Sequence, residues 1–142
     1  MRPAMRTAPR KQQGVMLLEA LIGILIFSIG ILAMLGMQAT AMRATMDAKY
    51  RAEAGYLVNQ IIGTMWVDRT NLASYDTTSG AGNTNLTNWE TQVSTQLPNA
   101  SGANAPTIAV VGTQVTVTVK WKRPGEVTVS NQMAVAQING SS

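Results

Sequence analysis

Between Val15 and Met37 the chain reads VMLLEALIGILIFSIGILAMLGM, 23 residues in which Glu19 is the only charge. Wound as an α-helix, this run is about 34 Å long, enough to cross a bilayer core of about 30 Å. It predicts a single membrane span, and everything else in the chain must be compatible with that anchor.

Charge placement gives the span a direction. The chain carries 11 basic and 7 acidic residues. Arg2, Arg6, Arg10 and Lys11 all lie in the first 14 positions, where there is no acid. The remaining 128 residues carry seven charges of each sign and are formally neutral. A basic cluster just ahead of an apolar run marks that side as cytoplasmic, so the expected topology is N-in, C-out. The basicity therefore belongs to the leader, and the body has no excess positive charge to drive binding to phosphates.

Two simpler accounts of the apolar run compete. A secretory signal peptide could be cut after Ala39-Thr40-Ala41, but its apolar region would usually be about 7–15 residues, shorter than this one. A plain single-pass anchor is the other. Neither explains Glu19. An ionised carboxylate costs on the order of 2.5–3.5 kcal/mol at mid-membrane, and less near the edge. Such a residue is by default a functional position whose partner is a cation, although a carboxylate this close to the edge could also reach the headgroups.

Gly14-Val15-Met16-Leu17-Leu18-Glu19, behind a short basic leader and ahead of a long apolar run, resembles the class III signal of type IV pilins and pseudopilins. The stretch LLEALIGILIFSIGILAMLGMQ is similar in particular to the PilV-type minor pilins, the type IV pilus modification proteins. The resemblance is strong over about residues 13–38 and only general beyond. Val15 stands where Phe or Met is more frequent, and Gln13 where Arg or Lys is common.

The resemblance implies a prepilin peptidase that cuts after Gly14 on the cytoplasmic side and methylates the new N-terminus at Val15. Glu19 then matches the family's fifth-position acid, and the apolar helix is retained. Residues 1–14 would be the prepilin leader, 15–37 the transmembrane and assembly helix, and 38–142 a periplasmic head that includes the amphipathic half of the long helix. The implied location is the bacterial inner membrane, among its lipids, and then the pilus, or fimbrium. Implied partners are other minor pilins, the major pilin and the inner-membrane pilus assembly machinery. A minor pseudopilin of a type II secretion system is the alternative within the same superfamily; the SIGILAMLGMQ portion favours the pilus.

The physics of the acid agrees with this reading. Cleavage would leave an amine at Val15, and Glu19 of a neighbouring subunit could pair with it. Two groups that are each costly in a low dielectric would then compensate one another and set the axial register of assembly.

Beyond Met37 a helical pattern continues. Met42, Met46, Tyr50, Ala54, Leu57, Val58, Ile61, Ile62, Met65 and Trp66 recur at spacings of three and four and form one stripe. One helix from about Val15 to Asp68 would be roughly 80 Å long. Gly23, Gly30, Gly36 and Gly55 interrupt it; in assembled pili a stretch of this helix can lose regular hydrogen bonding, and Gly30 and Gly36 are the candidates. Met34, Met37, Met42 and Met46 read as adaptable packing rather than a cofactor box.

Residues 70–85 read as a polar surface loop. Thr87-Asn88-Trp89-Glu90 reads as a capping box opening a short helix from about Asn88 to Gln96, with Trp89, Val93 and Leu97 on one face. A second loop covers 98–106. From Ile108 the period becomes two: Val115, Val117, Val119 and Trp121 share one face, and Thr116, Thr118, Lys120 and Lys122 the other. Gly112-Thr113 suits a hairpin, Arg123-Pro124-Gly125-Glu126 a turn, and Val127–Ile138 a third strand. The expected fold class is α+β, a type IV pilin-like lollipop whose long N-terminal helix covers the apolar face of an antiparallel β-meander.

With no Cys and no His, the chain has no thiol nucleophile, no histidine base and poor material for zinc or haem. The seven acids are scattered singly. No catalytic residue, no cofactor and no metal site is expected, and the chain is not expected to be an enzyme. Lys120, Lys122 and Arg123 form a compact basic cluster, but a lysine-protected strand face explains them better than a nucleic-acid site. Their one neighbouring aromatic, Trp121, alternates to the opposite face.

Overall fold

The computed structural model describes residues 13–80 and 82–139. Helix α1 spans Gln13–Val67, followed by a 3₁₀ segment at Arg69–Tyr75, helix α2 at Thr84–Gln96, a short 3₁₀ turn at Gly102–Asn104, and strands β1 (Thr107–Val111), β2 (Gln114–Trp121) and β3 (Ser130–Gln137). The chain is thus α+β, as its change of period indicates. Its contacts divide it into two units, Met1–Thr45 and Met46–Ser142.

In the first unit every described side chain from Gly14 onward is exposed, and the helix runs through Gly23, Gly30 and Gly36 without a break. Leu17, Leu21, Ile24, Phe27 and Leu32 each keep more than half their surface free. A helix that is apolar on every side, and that no described residue covers, suits a non-aqueous surrounding. It is long and apolar enough to span a membrane. Its hydroxyls suit that medium: Ser28 donates to the Ile24 carbonyl at 2.7 Å and Thr40 to Gly36 at 3.1 Å. Neither donor is left for water to satisfy.

The second unit holds the core. From α1, Ala54, Leu57, Val58, Ile61 and Met65 are all buried, at the spacing of a single helical face. The stripe is narrower than the sequence implies: Met42, Met46 and Trp66 are exposed, and Tyr50 and Ile62 only half-buried. The indoles of Trp89 and Trp121 are buried instead, and the Trp89 N–H donates to the Leu57 carbonyl at 2.8 Å, pinning α2 to α1.

The stretch expected to be a loop is partly structured. Leu72 and Tyr75, three residues apart within the 3₁₀ segment, both turn into the core. Helix α2 also starts a turn earlier than its apparent capping box. Asn83 is the N-cap, accepting from the Leu86 N–H at 2.8 Å. Thr87 is interior, its hydroxyl bonded back to the Asn83 carbonyl.

The sheet has the order β1-β2-β3 with both pairings antiparallel. Gly112-Thr113 makes the β1–β2 hairpin, and Gly112 alone takes a positive φ (63°), the pattern of a II′ turn. Val115, Val117, Val119 and Trp121 on β2 are essentially fully buried, with Ile108 beside them on β1 and Ala134 and Ala136 packed against them from β3. Each of the three valines and Ile108 contributes roughly 1.5–3 kcal/mol through burial. The third strand is shorter than expected and begins at Ser130. Arg123–Glu126 forms the expected turn, closed by the Glu126 N–H on the Arg123 carbonyl at 3.2 Å, with Gly125 at positive φ.

Candidate processing and assembly site

Gly14, Val15 and Glu19 all lie in the opening turns of α1. Val15 and Glu19, four residues apart, stand on the same side of the helix, about 6 Å along its axis. Val15 is 68% exposed, and Glu19 is exposed as well. Among the described residues no hydrogen bond or ion pair reaches the Glu19 carboxylate. The local chemistry is therefore a lone acid on an uncovered apolar helix, next to a peptide bond between an unbranched glycine and a valine. The leader expected over 1–14 falls, except for its last two residues, outside the described residues.

The basic cluster lies elsewhere and is partly neutralised. Arg123 pairs with Glu126 at 2.6 Å and approaches Asp47 at 3.9 Å, and Asp47 also holds Arg51 at 2.9 Å. Lys122 and Arg123 border a shallow polar depression shared with Asn99, Ser101 and Glu126. That depression owes its shape to chain connection. The Lys122 N–H donates to the Pro98 carbonyl at 3.0 Å, and the Asn99 amide, on a residue at φ +52°, donates to the Lys122 carbonyl at 2.9 Å. Lys120 is half-buried on the outer sheet face, where it stands opposite Asn131 of β3. Among the described residues no three His, Cys, Asp or Glu side chains converge.

Two polar arrangements escaped sequence reasoning. Tyr75, fully buried, donates to Asp68 Oδ2 at 2.9 Å and accepts from the Asn85 amide at 3.1 Å, while Asn71 donates to Asp68 Oδ1 at 2.7 Å. Burial pushes the Tyr75 hydroxyl pKa above its usual value; the Asp68 carboxylate adds to this and the Asn85 amide opposes it. Asp76 accepts from the hydroxyl and the N–H of Thr78 at 2.6 and 2.8 Å, and these bonds hold its carboxyl below the usual range. Both arrangements fasten the connection between α1 and α2. Only the Asp-x-Thr order at 76–78 offers a sequence signal, that of an Asx turn.

Compared with known proteins, the chain matches no family model, no curated protein and no solved structure.

Proposed function

We propose that this chain is a minor pilin, a structural subunit that takes part in initiating type IV pilus assembly near the tip. In this reading a prepilin peptidase cuts between Gly14 and Val15 and methylates the Val15 amine, and the chain performs no catalysis of its own. The inner membrane holds the subunit N-in, C-out until it joins the major pilin and the other minor pilins.

One observation carries the reading: Glu19 is a solitary, uncovered carboxylate on an uncovered apolar helix, five residues past a glycine. An acid near the membrane edge carries part of the roughly 2.5–3.5 kcal/mol that it would cost at mid-membrane, and a cation beside it compensates that cost. Cleavage at Gly14 creates one, the amine of Val15, on the same side of the same helix. Two subunits offset axially by about one helical turn would bring the amine of one to the carboxylate of the other.

The test is to co-express the full chain with and without a prepilin peptidase and measure the N-terminal mass. Loss of residues 1–14 with one methyl gained on Val15 is the expected result. A cut after Ala41, or an uncut chain in the presence of an active peptidase, would sink the proposal. Glu19→Gln should be cut normally yet fail to enter fibres, since only the charge pair is lost. Co-purification with pilus or with secretion components then separates a minor pilin from a pseudopilin.

A further inference from the structure

The charges of the second unit cancel in sum but are unevenly placed. Residues 46–53 of α1 and 120–126, at the end of β2 and in the turn after it, carry five basic and three acidic side chains. The rest of the unit carries one basic and three acidic. The two basic-rich segments lie together, because Arg123 reaches Asp47 at 3.9 Å. Asp47 also holds Arg51, and Arg123 holds Glu126. Among the described residues no carboxylate pairs with Lys120 or Lys122. Nor do these lysines shield a free strand edge, since β2 is the middle strand of the sheet.

The same end carries apolar side chains that the protein leaves uncovered. Past the turn, Val127 and Val129 are 91% and 46% exposed, and Met46, next to Asp47, is exposed as well. Valines scattered singly over a surface are ordinary. Here they adjoin a basic cluster at one end of the unit. A loop in water gains nothing from that combination, whereas a loop on a membrane uses both halves of it. Apolar side chains enter the interface while lysines meet anionic headgroups.

This end of the unit is also the one joined to the span. Helix α1 carries no charge between Glu19 and Arg43. With Glu19 at one edge, about 20 residues cross a core of about 30 Å, which leaves about eight residues before Asp47. Wound as a helix, these rise about 12 Å, and the headgroup layer takes up roughly 5–8 Å of that. An extended lysine side chain covers the remainder. We propose that the β2–β3 connection rests on the leaflet from which α1 emerges, with Val127 inserted between the headgroups and Lys120 and Lys122 on the phosphates of anionic phospholipid. The contact needs the span but not cleavage at Gly14, which the peptidase assay decides by itself.

The chain has no native cysteine, so a single cysteine carries a fluorophore to one place. Full-length Val127→Cys, labelled with an environment-sensitive dye, is reconstituted in phosphatidylcholine vesicles with and without phosphatidylglycerol. Quenching by phospholipid with a nitroxide on its headgroup is then measured. Thr70→Cys, exposed just past the far end of α1, carries the same dye as the control. Quenching at 127 should be at least threefold stronger than at 70 when phosphatidylglycerol is present. It should fall towards the control when that lipid is omitted or the salt is raised. Lys120→Gln/Lys122→Gln should lower it in the same way while keeping the circular dichroism of the parent. The comparison of lipids uses unaltered lysines, so it decides the matter even where the double variant folds poorly. Equal quenching at 127 and 70 would overturn the proposal, and so would quenching at 127 that is indifferent to phosphatidylglycerol. Blue-shifted emission at 127 without quenching would place Val127 against protein instead of lipid, and would overturn it too.

Discussion

At the scale of single residues, the second unit fastens the polar ends of two buried aromatic side chains to partners on neighbouring segments. Tyr75 is the clearest. Its ring fills the core, and its hydroxyl bridges Asp68 and Asn85. Because its pKa is raised on folding, the folded state keeps the phenol proton at a pH where the unfolded chain has begun to lose it. Between the ordinary value of about 10 and the higher folded value, the unfolded state binds fewer protons, so stability falls as pH rises. Thermal melts above about pH 10 should therefore show a steepening loss of Tm that Tyr75→Phe lacks. At neutral pH the same variant should be less stable by about 1–2 kcal/mol, since Asp68 Oδ2 and the Asn85 amide each lose a partner. Equal alkaline slopes for the two proteins would show that Tyr75 contributes nothing to that loss. None of this was legible beforehand. A tyrosine in a polar, glycine-bearing stretch gives no sign that its ring is buried, and the partner Asp68 lies on the far side of a 3₁₀ turn.

Among the elements, legibility followed the regularity of the pattern. The alternation of Val115, Val117, Val119 and Trp121 against Thr116, Thr118 and Lys120 placed β2 and its buried face correctly, because a period of two leaves one assignment open. Gly112-Thr113 likewise marked its turn. The sequence pattern opens α2 a turn late because Thr87 and Glu90 imitate a capping box, and a sequence does not show which of two hydroxyl- or amide-bearing residues will meet a free N–H. Leu86 decides it: once that side chain is buried with Trp89 and Val93, the helix must begin before it, and Asn83 is the residue in position to cap. Asn83→Ala removes the acceptor for the Leu86 N–H and the amide that donates to the Ser74 hydroxyl at 2.6 Å. The expected cost is about 1 kcal/mol, seen as a Tm lower by roughly 4–8 °C in a body of this size. Asn83→Asp keeps the acceptor and should recover most of it, whereas Thr87→Ala, at the misleading cap, should change Tm little. The apolar stripe on α1 extends further than its buried part, because a helix period says which residues share a face and not how far along the helix a partner extends.

Across the whole molecule, the chain separates its properties by position: positive charge first, then an uncovered apolar helix with one acid, then a neutral body with a packed core. That order, more than any single residue, sets how it meets a membrane. Residues with net positive charge resist transfer across the bilayer, and the neutral remainder does not, so the body should face away from the cytoplasm. The absence of native cysteine makes this measurable with single substitutions in cells that lack a prepilin peptidase. Ser101→Cys lies on an exposed loop of the second unit and should react with an impermeant maleimide once the outer membrane is opened. Thr7→Cys should react only after the inner membrane is broken. Ile26→Cys should resist labelling until detergent replaces the lipid, even though its side chain is 65% exposed on the isolated helix, because hydrocarbon rather than protein shields it. Early labelling at Thr7 would reverse the orientation and remove the cytoplasmic face on which the proposed cleavage at Gly14 depends. Ready labelling at Ile26 in intact membranes would mean that the apolar helix is covered by something other than lipid. The carboxylate of Glu19 would then sit in a different medium, with no cost in hydrocarbon for the Val15 amine to offset.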